Sequence, residues 1–301
     1  MGFPATDRGG SVEVQNYYGE MLARYWYFIQ IGTVDRNCVS SVPMLKRRFS
    51  CDLAVIFWIL QANGRQATRC SMTINSTNVG LSNLPLGDIL NAPGVWVEPP
   101  NVRRGGESGV LRIELDGLTF YKKQQVGHVY RSLRHPLGYP TVAREAKALR
   151  AAASLGVATP ALLHSHIHKL DGEWQAVMLT AALDGYLSLE DFYAQKVERT
   201  VGRHRHLEIL EAYGRVLAKL NHGRWQHGCL YLKHVFVDFS EPCVKVALLD
   251  LEKARKRFTA KQAARHDLRQ VKRRSGWGDE EWSAFWLGYS YSFGQGAELL
   301  L

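Results

Sequence analysis

The 301-residue chain contains no apolar run long enough to cross a membrane as a helix. Its longest apolar stretch, residues 53–60, is far below the ~20 residues that a spanning helix needs. The N-terminus also lacks the basic start and apolar run of a secretory signal. These two absences argue against an integral membrane protein and a secreted protein, and they predict a cytoplasmic one.

Cysteine is scarce, and its spacing does not suggest pairing. The number of cysteines is odd, and no two of them have the spacing of a zinc site. A chain of this length buries a sizeable core without needing disulfides. The pattern favours a reducing compartment. The five cysteines are Cys38, Cys51, Cys70, Cys229 and Cys243.

Acidic residues are outnumbered, 28 to 38, which gives a formal net charge of +10. Residues 1–90 hold 8 basic and 6 acidic residues, so the remainder holds 30 and 22, and most of the excess lies there. A basic excess suits an anionic partner, namely a phosphate, a nucleic acid or an acidic membrane face. A basic surface that contacts only solvent would give the same net charge, so the charge alone does not decide between the two interpretations.

The chain changes character near residue 93. Residues 1–92 show no steady hydrophobic period and no motif, which predicts an extension that is poorly ordered or accessory. Residues 93–301 are coherent and predict one domain, with an N-terminal lobe over about 93–182 and a C-terminal lobe over about 183–301. The division into two lobes follows from the order of strand and helix patterns along the domain.

Strand patterns dominate the first part of this domain. Residues 101–109 predict a glycine-rich turn, and the alternation that follows predicts a half-buried strand. Asp116-Gly117 is a strong hairpin signal, which makes residues 118–123 the return strand. A two-residue turn pairs Val110 with Lys123 and Leu111 with Lys122.

Helix patterns dominate the second part. Thr141 is predicted to cap a helix that Gly156 ends, and an apolar strand is predicted over 174–179. An amphipathic helix over 207–220, a strand over 244–249 and a helical tail over 263–287 follow. Strands first and helices later predict an α+β fold in two lobes, with a small sheet and one helix in the first lobe and a mainly helical second lobe.

The polar residues follow the order that phosphoryl transfer needs. Three glycines precede a strand, and a lysine ends the next strand, either Lys122 or Lys123. Glu145 begins the following helix, and Asp250 ends a later strand. In kinases such parts cover the phosphates, hold them with a lysine–glutamate pair and bind magnesium. Each motif is weak singly, and the glycines in particular lack the full G-x-G-x-x-G pattern. The glycines are Gly105, Gly106 and Gly109.

The segment His227-Gly-Cys-Leu-Tyr-Leu-Lys-His-Val-Phe-Val237 is the most specific. It resembles the catalytic loop, His-x-Asp-x-Tyr-x-x-His, of the lipopolysaccharide kinase family, which includes Kdo and heptose kinases and an InaA-type branch. His227, Tyr231 and His234 match this pattern. The resemblance covers roughly residues 93–286 and implies a protein-kinase-like fold.

The resemblance also implies roles for the residues. It favours Lys123 over Lys122 and makes Asp267 a structural aspartate that supports the catalytic loop. It implies ATP and Mg²⁺ as cofactors, and lipopolysaccharide core or another anionic glycolipid as partner, with peripheral contact at the inner face of the inner membrane and no nucleic acid. The implied catalytic residues are Cys229, His227 and His234, the implied nucleotide-binding residues are Gly106, Gly109, Lys123 and Glu145, and the implied metal ligands are Asp250 and His234.

Position 229 departs from the family pattern, because Cys229 stands where the family carries its catalytic aspartate. A thiol is a poor replacement for a carboxylate that orients a hydroxyl nucleophile. Two main interpretations remain open: a kinase that moves the γ-phosphate of ATP to a sugar hydroxyl, and a pseudokinase scaffold in an envelope or acid-stress response. An aminoglycoside-type kinase ranks lower, since it normally keeps the aspartate.

Overall fold

The structure, a computed structural model, describes residues 84–103 and 105–300. They belong to one compact unit, Cys70–Leu301. Residues 1–83 of the predicted extension, with three of the five cysteines, lie outside the described residues, and the domain boundary at residue 93 stays a prediction. Within the described part, no helix is both long and apolar enough to cross a bilayer.

A five-stranded antiparallel sheet forms the first lobe, in the order β1-β2-β3-β7-β6. Helix α1 (Leu86–Asn91) precedes it, and its Ile89 joins a small buried cluster on one face of the sheet. A second hairpin connects β3 to helix α2 (Thr141–Ser154). The strands are β1 (Gly94–Arg103), β2 (Gly106–Leu115), β3 (Leu118–Val126), β4 (Val129–Ser132), β5 (His135–Pro140), β6 (Leu162–Leu170) and β7 (Glu173–Ala181).

The β2–β3 hairpin has the predicted register. Val110 pairs with Lys123 and Leu111 with Lys122. Asp116 and Gly117 both have positive φ, 50° and 74°, as a two-residue turn between right-twisted strands requires. The Asp-Gly signal therefore determined which residues of the two strands face each other.

The predicted glycine turn over 101–109 is wrong in extent. Strand β1 runs through Arg103 and β2 begins at Gly106. A Cβ on Gly106 would lie 2.1 Å from the carbonyl carbon of Gly127, and one on Gly109 would lie 2.7 Å from the ring of Trp96. These two glycines therefore allow close packing inside the sheet, which explains why the pattern looked like a loop.

Helix α2 ends as predicted but begins differently. Gly156 follows its last turn at φ 65°, whereas Thr141 is its first residue, and Pro140 occupies the cap position. Gln125 of β3 performs the capping: its Oε1 accepts from the backbone N–H of Val142 at 3.2 Å, and its amide donates to Thr141 Oγ1 at 2.8 Å. The cap comes from a residue distant in sequence, which local patterns do not detect.

Five helices and short strands form the second lobe, around the larger of two buried clusters. The predicted helical tail consists of two helices, because Gly276 adopts φ 67° and ends the first. This confirms the mixed architecture of one sheet lobe and one mainly helical lobe. The helices are α3 (Leu189–Ala194), α4 (Val197–Val201), α5 (Arg203–His222), α6 (Ala260–Ser275) and α7 (Asp279–Phe293), and the strands are β8 (Leu187–Ser188), β9 (Trp225–Gln226), β10 (Val235–Asp238), β11 (Lys245–Leu248) and β12 (Arg255–Lys256).

Candidate functional site

Strand β3 carries two lysines that face opposite sides of the sheet, as successive strand residues do. Lys122 Nζ donates to the backbone oxygen of Leu90 at 2.9 Å, and so holds α1. Lys123 Nζ donates to Glu145 Oε2 of α2 at 2.8 Å. The structure therefore places Lys123, and not Lys122, beside the helix glutamate.

A second carboxylate, which the sequence patterns did not indicate, also binds Lys123. Glu252 Oε2 lies 3.0 Å from Lys123 Nζ. Burial lowers the pKa of Lys123, but the charges of Glu145 and Glu252 together outweigh burial and raise the pKa above its ordinary value. The group therefore remains an ammonium ion. Burial raises the pKa of Glu145 against the opposing effect of Lys123. Glu252 comes two residues after Asp250 in the loop that follows β11, which is the only local signal of its role.

A buried aspartate in helix α6 holds the loop after β9. Asp267 is fully buried, and its Oδ2 accepts from the backbone N–H of His227 at 2.7 Å and from Asn221 Nδ2 at 2.8 Å. Its Oδ1 accepts from the backbone N–H of Gly228 at 3.0 Å. The predicted structural aspartate thus lies where it fixes the start of this loop.

Two further residues of α6 continue this support, and the sequence patterns indicated neither. Gln270 Oε1 accepts from the backbone N–H of Leu230 at 3.0 Å, and its amide donates to the oxygen of Gly228 at 3.1 Å. Arg274 donates to the oxygen of Leu230 at 3.0 Å. They lie three and seven positions after Asp267, which puts all three on one helix face. That spacing was the available signal.

His227 is buried, and both of its ring nitrogens contact backbone atoms. It is fully buried, with Nε2 3.0 Å from the backbone oxygen of Leu249. A carbonyl only accepts, so Nε2 carries the proton, and Nδ1 accepts from the N–H of Cys229 at 3.3 Å. Burial lowers the pKa of His227, in keeping with a neutral ring. The imidazole therefore links the loop after β9 to the end of β11.

Cys229, His234 and Asp250 come together at the centre of the site. One donor atom from each lies within 4.8 Å of the other two. His234 Nε2 is 3.6 Å from Asp250 Oδ2, while Lys253 Nζ lies 3.8 Å from Cys229 Sγ. Burial, and then the neighbouring Asp250 carboxylate, raise the pKa of the Cys229 thiol above its usual range.

The backbone at Asp250 adopts a conformation that L-residues rarely take. Its φ is 58° and its ψ is 64°, which costs a non-glycine residue of order 1 kcal/mol. Next to it, the N–H of Leu249 donates to the oxygen of His234 at 2.8 Å, and Leu251 is buried. The surroundings thus hold the Asp250 carboxylate toward His234, as strained residues at functional sites are held.

The predicted glycines Gly106 and Gly109 belong to strand β2 of the sheet and not to the cluster of Cys229, His234 and Asp250. Gly109 pairs with Gln124, one position from the pair formed by Val110 and Lys123, whereas Gly106 is at the far end of β2. The structure therefore brings together Lys123 with Glu145, and Cys229 with His234 and Asp250. Glu252 belongs to the same loop as Asp250 and joins the first pair.

The chain is similar to known proteins in sequence and in fold. Residues 88–289 match the model described as the lipopolysaccharide kinase (Kdo/WaaP) family. Protein InaA of Escherichia coli (strain K12) is 35% identical over 180 residues, which cover 60% of this chain and 83% of that protein. A solved structure titled "WaaP in complex with acyl carrier protein" has a TM-score of 0.52 and 21% identity, covering 69% of this chain and 83% of that one. The last likeness concerns the fold alone.

Proposed function

Because this chain belongs to the lipopolysaccharide kinase (Kdo/WaaP) family, we propose that it is an ATP-dependent phosphotransferase. It moves the γ-phosphate of ATP to a sugar hydroxyl of an anionic glycolipid such as the lipopolysaccharide core. The observation that carries the proposal is the buried Lys123–Glu145 pair, 2.8 Å apart. In kinases such a pair must be in place for the lysine to hold the nucleotide phosphates.

The residues present suit ATP and suit Mg²⁺ in part. The ammonium of Lys123 is the group that phosphate oxygens need, with Glu145 fixing its position. Asp250 offers Mg²⁺ a carboxylate, its preferred type of ligand, but Cys229 offers a sulfur, which Mg²⁺ does not favour. When bound, Mg²⁺ neutralises charge on the phosphates. In this proposal Gly106 and Gly109 belong to the strand that covers the nucleotide.

The loop residues position the acceptor more than they activate it. His227 is neutral and used in two backbone contacts, so it orients the loop. The raised pKa of Cys229 keeps it a thiol at neutral pH, and a thiol takes up no proton from a sugar hydroxyl. Phosphoryl transfer depends mainly on positioning and charge neutralisation, so slow transfer is compatible with this site.

A basic surface supports an anionic acceptor. Between residues 253 and 278 the sole acid is Asp267, which is buried. Phe258 in the same segment is 91% exposed. Basic side chains near an acidic membrane face contribute about 1 kcal/mol each, so this segment suits peripheral contact with an anionic membrane. The exposed basic residues are Lys253, Arg255, Lys256, Lys261, Arg265, Arg269, Lys272 and Arg273.

Nucleotide binding is the first test. Thermal unfolding is measured with ATP, with Mg²⁺ and with both, on the wild type, on Asp250→Asn and on Asp171→Asn in the exposed β6–β7 turn. Binding to the folded state alone adds about 2.7 kcal/mol at a hundredfold excess over Kd. We expect a shift that needs Mg²⁺, is lost in Asp250→Asn and persists in the control. Absence of any shift at millimolar ATP contradicts the proposal.

The alternative function is a pseudokinase scaffold in an envelope or acid-stress response, and Cys229 is the observation that favours it. It predicts the nucleotide shift without phosphate transfer to purified lipopolysaccharide core. Cys229→Asp separates the two functions. For a kinase, a carboxylate at this position supplies the missing base and raises turnover, since such groups contribute about 10²–10⁴-fold. For a scaffold, the variant transfers no more phosphate than the wild type.

A further inference from the structure

The cluster of Cys229, His234 and Asp250 has a donor set that the proposed kinase chemistry does not need. It offers one sulfur, one imidazole nitrogen and one carboxylate oxygen within 4.8 Å of one another. The proposed kinase site implies only Asp250 and His234 as ligands to Mg²⁺, and a hard ion that prefers oxygen has no use for the sulfur. Sulfur and imidazole are instead the ligands that zinc and similar transition metals prefer.

The orientation of His234 points to a cation. Its Nδ1 lies 2.7 Å from the backbone oxygen of Cys229, so Nδ1 carries the proton. In the neutral ring Nε2 is then a lone pair, and it faces Asp250 Oδ2 at 3.6 Å. Two acceptors that face each other are joined by a positive species, which is either a proton on the imidazole or a metal ion. A backbone carbonyl that fixes the far nitrogen is also the usual support of a metal-bound histidine.

The distances are compatible with a tetrahedral ion. Bonds of about 2.0–2.3 Å at tetrahedral angles separate two ligand atoms by roughly 3.3–3.7 Å. The His234–Asp250 separation of 3.6 Å already has this value. Cys229 Sγ is within 4.8 Å of both and needs to approach by at most about 1 Å, which a change of its side-chain torsion supplies.

We infer that Cys229, His234 and Asp250 form a binding site for a zinc-type divalent transition metal, with the fourth position open. On binding, the Cys229 S–H bond breaks, the sulfur bonds to the metal and the proton leaves to solvent. Lys253 Nζ donates to the sulfur at 3.8 Å, and its side chain is exposed, so it turns away when the sulfur bonds to the metal. Entry is from the side of Asp250, whose side chain is 34% exposed.

This site shares Asp250 with the proposed nucleotide site, but it does not rest on nucleotide binding. A metal held by all three residues excludes Mg²⁺ from the Asp250 carboxylate. The zinc-loaded protein therefore loses the Mg²⁺-dependent part of any stabilisation by ATP. The metal test is made without nucleotide, so its failure and the failure of the proposed kinase activity are separate outcomes.

Cobalt is the probe, because Co²⁺ bound to a thiolate gives an ultraviolet charge-transfer band. The full-length reduced protein is titrated with Co²⁺ in the absence of nucleotide, and then with Zn²⁺. We expect the wild type to gain a band for one equivalent of Co²⁺, which Zn²⁺ abolishes. Cys229→Ser keeps the other four cysteines and lacks this band. Equal bands in both proteins assign the signal to other cysteines and overturn the inference.

Two further variants guard against misfolding of Cys229→Ser. Asp250→Asn and His234→Gln keep all five thiols and each remove one ligand. We expect the Co²⁺ affinity to fall by at least about tenfold in each, since even outer-shell changes cost that much. Asp171→Asn serves as the control and keeps the affinity of the wild type. Wild-type affinity in Asp250→Asn and His234→Gln overturns the inference.

Discussion

Lys123 is the residue on which the proposed nucleotide binding depends most directly. It and Lys122 are adjacent, of the same type and both largely buried, yet only Lys123 has carboxylate partners among the described residues. The two lysines are thus a matched pair that separates the nucleotide contact from a general effect of removing a buried ammonium ion.

We expect Lys123→Met to abolish the stabilisation by ATP, because the phosphates lose their cation. The measurement is the thermal shift with Mg²⁺ and ATP. Lys122→Met leaves the shift intact, although it weakens the docking of α1, since the carbonyl of Leu90 loses its donor. Loss of the shift in Lys122→Met alone would contradict the assignment.

Glu252 gives Lys123 a second carboxylate, which a nucleotide phosphate must displace or share. Removing its charge therefore favours the nucleotide. We expect Glu252→Gln to tighten ATP binding by roughly tenfold, or about 1.4 kcal/mol, which is near the lower end of the coupling between close charge pairs. Isothermal titration measures it. Glu298→Gln, on an exposed residue far along the chain, is the control, and weaker ATP binding in Glu252→Gln contradicts the expectation.

At the residue scale the sequence predicted the Lys123–Glu145 pair, but not that Glu252 competes with Glu145 for the same lysine. Lys123, Glu145 and Asp250 could be predicted because a family pattern orders them along the chain. The role of Glu252 was not predicted, because it occupies a position where a kinase loop usually has glycine. No local rule predicts that its side chain reaches Lys123 of β3.

Among the elements, helix α6 has the most clearly defined role, because one of its faces supports the loop after β9. Asp267, Gln270 and Arg274 each bind backbone atoms of that loop. A loop held by a helix keeps its geometry without a bound ligand. The loop after β9 is therefore expected to be preorganised and to resist hydrogen exchange as α6 does.

Asp267→Ala tests this support. It leaves the N–H groups of His227 and Gly228 and the amide of Asn221 buried without their acceptor, and each such loss costs about 1–3 kcal/mol. We expect the free energy of unfolding to fall by at least about 3 kcal/mol in urea denaturation. Arg269→Ala changes an exposed residue of the same helix and should alter it by about 0.5 kcal/mol or less. Similar values for the two variants would contradict the assigned role.

Elements defined by neighbouring residues were predictable, and those defined by distant ones were not. The β2–β3 register followed from Asp116-Gly117 alone. The start of α2 was misplaced by one residue, because its cap is the side chain of Gln125, sixteen residues before Thr141. The glycines of β2 were assigned to a turn, because no pattern reveals that Gly106 packs on the backbone of Gly127.

The whole molecule carries buried histidines whose neutrality links stability to pH. Burial lowers the pKa of both His206 and His227 from the ordinary value of 6.5. In the unfolded chain these rings take up protons as the pH falls through about 6.5, whereas in the folded chain they do so only at a lower pH. The unfolded state then binds more protons, so the stability declines as the pH drops below that value.

His206→Gln isolates one contribution. His206 Nε2 lies 2.9 Å from Tyr193 OH, and the groups around it are Glu198, Arg203, Glu280 and Glu281. Glutamine keeps a polar partner for the hydroxyl and does not titrate. We expect a smaller loss of unfolding free energy between about pH 7 and 5.5 than in the wild type, measured in urea. His204→Gln, on an exposed ring, is the control, and an unchanged slope in His206→Gln contradicts the expectation.

Lys122 fixes helix α1 to the sheet through its hydrogen bond to Leu90. Its bond to Leu90 and the insertion of Ile89 beside Ile113 and Phe120 tie α1 to the outer face of the strand whose inner face presents Lys123. A truncation at residue 93 would remove α1 and expose the apolar side chains of Ile113 and Phe120. It would also leave the ammonium group of Lys122 without its acceptor, the carbonyl of Leu90. A shortened chain meant to retain the Lys123–Glu145 pair must therefore start at or before residue 84, and a ligand that displaced α1 would remove the packing on the other face of β3.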